Sequence, residues 1–274
     1  MPEIELAQLI PMLILLMCIG AIAGVLAGLL GVGGGIILVP AFFYGFAHLG
    51  YDGAQLMQVC IGTSLATIIV TSVRSVVSHH RKGAVDLVIL RSFAPFIIAG
   101  AVAGVLMASQ MKSVTLQAVF GALALIAGGY LGFGRDHWRL GAQMPRQPAL
   151  AAVALPLGFF SALMGIGGGT FGVPLLTLYA VPIHRAVATA AGFGVAIAVP
   201  AGIGFLLMPI PAAPPYSIGA VNIPAFVVVI AMTLITTPYG VALAHRTGGK
   251  LLKRVFALFI SLVALNMLRK VVGW

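Results

Sequence analysis

Two related glycine-rich stretches decide how this chain folds: residues 31–40 read GVGGGIILVP, and residues 165–174 read GIGGGTFGVP. Each stretch interrupts a region that is otherwise strongly apolar. Three consecutive glycines weaken a helix and permit positive φ angles, so we expect a helix to break at each stretch. Consecutive glycines do not share one helix face, so close helix packing does not account for them. The pattern predicts one broken helix in each half of the chain.

The overall composition indicates the class of protein. Of the 274 residues, 61% are hydrophobic and only 7% are charged, whereas a soluble domain has about 25% charged residues. A chain this poor in charge needs the bilayer as its solvent. The net charge of +10 comes from bases in short gaps between apolar runs, which is the positive-inside pattern. Since no dense basic stripe with interleaved aromatic residues is present, nucleic-acid binding is excluded.

Apolar runs long enough to span a bilayer occur in both halves of the chain. They lie at about 6–30, 57–78, 87–109, 114–134, 149–165, 186–208, 221–244 and 252–271. Two further apolar pieces, at about 36–47 and 170–180, follow the glycines and are too short to cross alone as straight helices. The predicted fold class is an all-α polytopic membrane protein with about five helical segments in each half.

The two halves share further landmarks in the same order. The sequence GAVD at residues 83–86 recurs as GAVN at residues 219–222, and Gly104 has a counterpart in Gly240 at the same spacing. A shared ten-residue motif followed by co-linear landmarks indicates an internal duplication. The chain is therefore divided into a first membrane repeat at 1–134, a cytoplasmic linker at 135–148 and a second membrane repeat at 149–274.

The distribution of bases predicts the orientation of the two repeats. Bases fall in alternate gaps, at residues 81–82, 135–146, 185 and 246–254. Because five segments per half is an odd number, the second repeat is expected to be inverted relative to the first. With the N-terminus outside, these basic gaps all lie on the cytoplasmic side of a bacterial inner membrane. The basic pair at residues 269–270 is the exception, since it would lie outside. Inverted repeats with broken helices are typical of secondary transporters with a midplane site.

A helix that begins at a glycine break presents unpaired N–H groups and the positive end of its dipole, which a small anion can approach closely. The predicted binding residues are the glycines of both breaks and nearby hydroxyl groups: Gly33, Gly34, Gly35, Gly167, Gly168, Gly169, Thr170, Thr63, Ser64 and Thr189. The alternative for each hydroxyl is a hydrogen bond to a carbonyl of its own helix. No Asp or Glu lies in the middle of a span, so we predict no carboxylate proton relay. We also predict no metal ion and no cofactor.

Other small residues have simpler interpretations. A spacing of four predicts close helix packing for Gly20, Gly24, Gly28, Gly100 and Gly104. The two cysteines, Cys18 and Cys60, lie in apolar runs without disulfide or metal-ligand spacing. Small buried hydrophobic side chains are their favoured interpretation.

The paired glycine motifs, the sequence GTS at residues 62–64 and the loop HRKGAVD at residues 80–86 together resemble the TauE/SafE family of sulfite exporters and anion permeases. The resemblance runs from about residue 10 to residue 270. It implies transport of a small sulfur-containing anion such as sulfite or an organosulfonate. The second repeat departs from the first at Ala190, where Ser64 would be expected, and at Asn222 in place of Asp86.

The predicted function is a secondary transporter for such an anion, by alternating access around a midplane site formed by the two breaks, and not an enzyme. Three alternatives stay open. They are a membrane thiol relay or enzyme acting through Cys18 or Cys60, a passive anion channel, and a structural subunit of a larger membrane complex. The expected partners are the small anion and the lipid bilayer, with a homodimer left open.

Overall fold

The structure, a computed structural model, describes residues 6–30, 35–134, 138–246 and 249–272. These residues form ten helices: α1 (Leu6–Leu30), α2 (Gly35–His48), α3 (Leu56–Arg81), α4 (Leu87–Gln110), α5 (Ser113–Phe133), α6 (Ala149–Met164), α7 (Gly168–Leu178), α8 (Ile183–Leu206), α9 (Ile223–Arg246) and α10 (Gly249–Val272). Each predicted apolar segment coincides with one helix, and the two short pieces are α2 and α7. Gly33 and Gly34, two of the predicted binding residues, lie outside the described residues.

Five stretches within these helices are long and apolar enough to cross a membrane, namely α3, α4, α5, α8 and Ile223–Gly240 of α9. Large apolar side chains are exposed on their surfaces; Ile126, for example, is 65% exposed. Lipid tolerates such a surface, whereas water does not. The architecture is that of a multi-pass membrane protein.

Helices α3 and α8 lie at the centre of the bundle, and residues 56–65 of α3 are all buried. The two helices approach closely where glycines leave room. A side chain on Gly62 would meet Phe205, and a side chain on Gly202 would meet Ile69. Because the contacting residue numbers increase along α3 while they decrease along α8, the two helices run antiparallel.

Two further helix pairs run parallel, and small residues form both contacts. In the first pair, Gly20 of α1 lies against Val229 and Met232 of α9, and Gly24 lies one turn further along against Thr233 and Thr236. The second pair is α4 and α6, where Gly100 meets Leu155 and Phe159 and Gly104 meets Phe159 and Ala162. The predicted packing role of these glycines is confirmed. The surroundings of Gly28 lie outside the described part of the structure.

Helices α5 and α10 form a fourth pair, and it is antiparallel. Gly121 lies against Leu268, whereas Gly128, two turns later in α5, lies against Ser261. The side-chain amide of Gln117 donates to the carbonyl of Met267 at 2.8 Å. Each helix of the first half other than α2 therefore has a long contact with a helix of the second half.

The two ends of the bundle differ in composition. One end, here the basic end, contains the loop at residues 81–86 and the start of α8 with Arg185. The opposite end, here the hairpin end, contains two short antiparallel strands, β1 (Ser217–Ile218) and β2 (Val221–Asn222). Gly219 turns the chain between them with φ 56°. The prediction of an all-α chain missed this hairpin, because strands of two residues are too short to show an alternating pattern.

The two cysteines occupy different environments. Cys60 is fully buried in α3, as predicted, but Cys18 is exposed on α1. The prediction of burial for Cys18 is therefore wrong. Helix α1 is apolar on every side, so its sequence does not distinguish a side that faces lipid from one that faces protein.

Candidate functional site

The second glycine stretch forms a sharp junction between α6 and α7. Helix α6 ends at Met164, and Gly165 has the left-handed angles φ 65° and ψ 34°, which glycine adopts without strain. The N–H groups of Gly165 and Ile166 donate to carbonyls of the last turn of α6, at 3.2 and 3.0 Å. Gly167 is extended, and α7 begins at Gly168 without a side chain that caps its first N–H groups. The start of α7 is therefore an uncapped set of donors.

Helices α6 and α7 form a hairpin that begins and ends at the basic end. The linker before α6 contacts the end of α7, because the N–H of Leu140 donates to the carbonyl of Leu178 at 2.8 Å. Helix α7 has 11 residues, a length of about 16 Å, which is half of a hydrocarbon core of about 30 Å. Residues 161–168, at the tip of the hairpin, are all buried. The uncapped start of α7 therefore lies in the interior of the protein.

The described part of the first glycine stretch meets the second stretch at this tip. A methyl group on Gly35, where α2 begins, would lie 2.9 Å from Cα of Ile166 and 3.1 Å from the carbonyl oxygen of Gly165. A methyl group on Gly165 would lie 2.9 Å from Cγ2 of Val39 and 3.0 Å from Cα of Ile61. Only glycine permits this approach. We call the region formed by Gly35 and residues 165–170 the glycine junction.

Hydroxyl groups without hydrogen-bond partners lie at the glycine junction. Among the described residues, Thr170 Oγ1 and Ser161 Oγ are buried and unpaired, as is Gln58 Oε1, which belongs to the hairpin end. Thr170 is 7% exposed and Ser161 is fully buried. Thr170 lies in the first turn of α7, and helical side chains lean toward the N-terminus of their helix. The side chain of Thr170 therefore leans toward the start of α7, and its unpaired buried hydroxyl requires an explanation.

Helix α3 contributes one face to the same region. Ser64 Oγ donates to the carbonyl of Gly165 at 2.7 Å. One turn on, Ile68 contacts both Gly35 and Gly167. After one more turn, the Ser72 hydroxyl lies 3.9 Å from the position of a methyl group on Gly167 and also contacts Gly194. Ser72 is 8% exposed, and no hydrogen bond of its hydroxyl to another described residue is found.

The structure brings together Gly35, Ser64, Thr170 and the glycines 167–169. Of the predicted residues that the structure describes, the other two, Thr63 and Thr189, lie elsewhere, and each accepts a hydrogen bond from a turn. Thr63 Oγ1 accepts the N–H of Asn222, and Thr189 Oγ1 accepts the N–H of Asp86, both at 3.0 Å. The residues next to these threonines, Ser64 and Ala190, contact the junction instead. Sequence reasoning missed Ser72 and Ser161. The available signals were the spacing of eight between Ser64 and Ser72, and the position of Ser161 one turn before the glycines.

The two turns held by the threonines are equivalent in sequence and differ in charge. Asp86 Oδ1 accepts the N–H groups of Val88 and Ile89 at 3.1 Å and so caps α4. Its Oδ2 lies 3.3 Å from Nη2 of Arg185 in α8. At the hairpin end, Asn222 Oδ1 accepts the N–H of Ala225 at 3.0 Å, and its amide donates to Pro215 and Ser217. Only the turn at the basic end contains an ion pair among the described residues.

The described residues contain no cluster of three or more His, Cys, Asp or Glu side chains that could hold a metal ion. The candidate site therefore offers neutral donors: backbone N–H groups at a helix start and hydroxyl groups. Such a set suits an anion, which accepts hydrogen bonds and gains from the positive helix end.

The comparisons with known proteins identify the family of the chain. The family described as Sulfite exporter TauE/SafE matches residues 16–267. A probable membrane transporter protein of Haemophilus influenzae is 30% identical over 262 residues, which cover 94% of this chain and 98% of that protein. A probable membrane transporter protein of Methanocaldococcus jannaschii is 25% identical over 277 residues, which cover 97% of this chain and 98% of that protein. No solved structure matches the chain. The resemblance found in the sequence is confirmed, and the chain belongs to the TauE/SafE family of membrane transporters.

Proposed function

We propose that the protein is a secondary transporter of a small sulfur-containing anion, such as sulfite or an organosulfonate, in a bacterial inner membrane. The observation that carries the proposal is the start of α7, which lies uncapped in the interior with the unpaired hydroxyl of Thr170 beside it. A buried set of donors without acceptors is a cost to the empty protein. An oxyanion at the glycine junction would accept these donors and remove that cost. The sulfur chemistry is taken from the family, whose description is that of a sulfite exporter.

The two repeats are inverted in this proposal, and the helix pairs support the inversion. If each helix is replaced by its counterpart in the other half, the pair of α1 and α9 becomes the pair of α6 and α4. Both of these pairs run parallel. The same exchange maps α3 with α8, and α5 with α10, onto themselves. Since these two pairs run antiparallel, the operation that exchanges their partners must reverse the direction of the helices. An axis in the membrane plane has this property.

Alternating access would proceed by relative movement of the two repeats around the glycine junction. The turns at both ends of the bundle would act as the gates. At the basic end, Thr189 and Arg185 of the second repeat hold Asp86 of the first. At the hairpin end, Thr63 of the first repeat holds Asn222 of the second. Each contact joins one repeat to the other, so opening one end would break one set while the other set stays closed. We assign the basic end to the cytoplasm because of the excess of bases there.

The decisive experiment is flux of labelled sulfite or methanesulfonate into liposomes that contain the purified protein. Gly167→Ala is the informative variant, because Gly167 has φ −82°, which alanine also adopts. Its added methyl group would lie 3.2 Å from Ile68 and 3.9 Å from the Ser72 hydroxyl, beside the uncapped N–H groups. We expect a folded protein with strongly reduced flux.

Gly129→Ala in α5 is the matched control, because a methyl group there has no neighbour within 4 Å. It should leave flux unchanged. If a folded Gly167→Ala variant transported at the parental rate, the glycine junction would not be the binding site. A parental rate that rises linearly with concentration, without saturation, would indicate a passive channel instead. A Cys18→Ser, Cys60→Ser double variant should transport normally, and loss of its activity would support the thiol alternative.

A further inference from the structure

The segments around the glycine junction contain no charged side chain. Residues 6–47 and 147–183, which include α1, α6, α7 and all of α2 except His48, contain no Asp, Glu, Lys, Arg or His. The parts of α3 and α8 that face the junction, residues 54–73 and 186–206, are also free of these residues. Residues 31–34, which belong to the first of these segments, are uncharged as well. Any charge in an anion bound there must be balanced without a cationic side chain from these segments.

Arg74 is the base closest in sequence to the junction residues, but it belongs to another side of α3. It lies two positions after Ser72, which is a rotation of about 200° around the helix. It lines a separate groove of about 820 Å³ with Val73, Val77 and Arg81. The Arg74 side chain is exposed. It therefore does not supply a buried countercharge to Thr170 or to the start of α7.

The positive potential that remains comes from helix ends. The start of a helix is equivalent to about half an elementary charge. Helix α7 begins at Gly168, and the described part of α2 begins at Gly35, against Ile166. Together the two starts offer about one positive charge at most. A monoanion is balanced by this amount, whereas a dianion would leave about one negative charge unbalanced in a region of low dielectric constant.

We propose that the site binds and transports monoanions and rejects dianions, an inference that rests on the proposed function. Sulfite then crosses as hydrogensulfite, HSO₃⁻, and an organosulfonate crosses as R–SO₃⁻. Hydrogensulfite that reaches a more alkaline side releases its proton to water and becomes SO₃²⁻. Each such transport event therefore moves one proton on the substrate itself. A pH difference drives sulfite across the membrane without a protonatable side chain in the protein, in keeping with the absence of Asp and Glu from the middle of every span.

The test compares three substrates in proteoliposomes as the external pH is varied. Sulfite changes from monoanion to dianion near neutral pH, methanesulfonate stays a monoanion, and sulfate stays a dianion. Above the second pKa of sulfurous acid, the initial rate at a low, fixed total sulfite concentration should fall about tenfold per pH unit, in step with the monoanion fraction. Methanesulfonate flux should stay constant over the same range, which excludes titration of the protein. Sulfate should neither be transported nor compete with methanesulfonate.

The flux into protein-free liposomes measures the leak of dissolved SO₂ and is subtracted from each rate. A sulfite rate that is flat or rises with pH, while methanesulfonate flux stays constant, would overturn the inference. Transport of sulfate at a rate similar to methanesulfonate would overturn it as well. Both results would leave an anion transporter in place. Absence of flux for all three substrates, together with absence of any stabilisation by them, would instead refute the proposed function and this inference with it.

Discussion

Replacement of Thr170 by valine should change anion affinity and protein stability in opposite directions. Valine keeps the branched shape of threonine, so the substitution removes the hydroxyl and little else. In the empty protein this hydroxyl is buried without a partner, which costs about 1–3 kcal/mol. Thr170→Val should therefore raise the unfolding temperature of the ligand-free protein. With an anion bound, the same hydroxyl would donate a hydrogen bond to a charged group.

The loss of a hydrogen bond to a charged group costs about 1.5–3 kcal/mol. This corresponds to a dissociation constant about 10- to 150-fold larger for methanesulfonate. The measurement is isothermal titration of the detergent-solubilised protein, with thermal unfolding recorded on the same samples. Thr170→Ser keeps a donor in the first turn of α7 and should retain affinity close to the parent.

Thr177→Val is the control within the same helix. The Thr177 hydroxyl donates to the carbonyl of Pro174 at 2.9 Å, so its loss should lower stability slightly and leave affinity unchanged. Unchanged affinity in a folded Thr170→Val variant would refute the argument that the unpaired hydroxyl serves the anion. A lower unfolding temperature of ligand-free Thr170→Val would contradict the argument that the hydroxyl is unpaired.

Three further substitutions test the contacts between the two halves of the chain. Thr63→Val leaves the backbone N–H of Asn222 without its acceptor, and Thr189→Val does the same to the N–H of Asp86. Each substitution should lower the free energy of unfolding by about 1–3 kcal/mol without weakening anion binding. A loss of affinity with stability intact would show that these threonines contact the substrate. Arg185→Ala removes an ion pair whose arginine is 53% exposed, so stability should change by less than about 1 kcal/mol. Labelling of a cysteine introduced at Ser72 by a reagent from the basic end should nevertheless become faster, and an unchanged labelling rate would exclude a gating role for the pair.

The helices were predicted well from the sequence because a bilayer strongly stabilises long apolar runs as helices. The run predicted at 87–109 became α4 at Leu87–Gln110, and even the short piece at 170–180 became α7. Hydropathy does not distinguish lipid from a protein core, since both are apolar. For this reason the burial of Cys18 was predicted wrongly, while the burial of Cys60 was predicted correctly.

The site was predictable only in part, because a hydroxyl group in a sequence does not reveal its partner. Thr63, Ser64 and Thr170 looked alike as polar residues in apolar runs. In the folded chain Thr63 accepts the N–H of Asn222, Ser64 donates to Gly165, and Thr170 stays unpaired. Contacts over such sequence distances depend on how the two halves of the chain pack. The same reason applies to Arg185, whose partner Asp86 is remote in sequence.

The differences between the two repeats acquire a specific meaning in the proposed mechanism. If the repeats were identical, exchanging them would convert the state open at one end into the state open at the other, and both states would have equal free energy. Every departure from identity is therefore a contribution to the difference between these states. The pair of Asp86 and Arg185 is such a departure, because the equivalent turn at the hairpin end has a neutral Asn222. A half-exposed ion pair is worth about 0–1 kcal/mol, which corresponds to a population ratio of up to about fivefold. This ion pair therefore shifts the empty transporter, by up to this modest factor, toward the state that is closed at the basic end. The segments around the junction carry no charged side chain, so this contribution comes from the gate and not from the site.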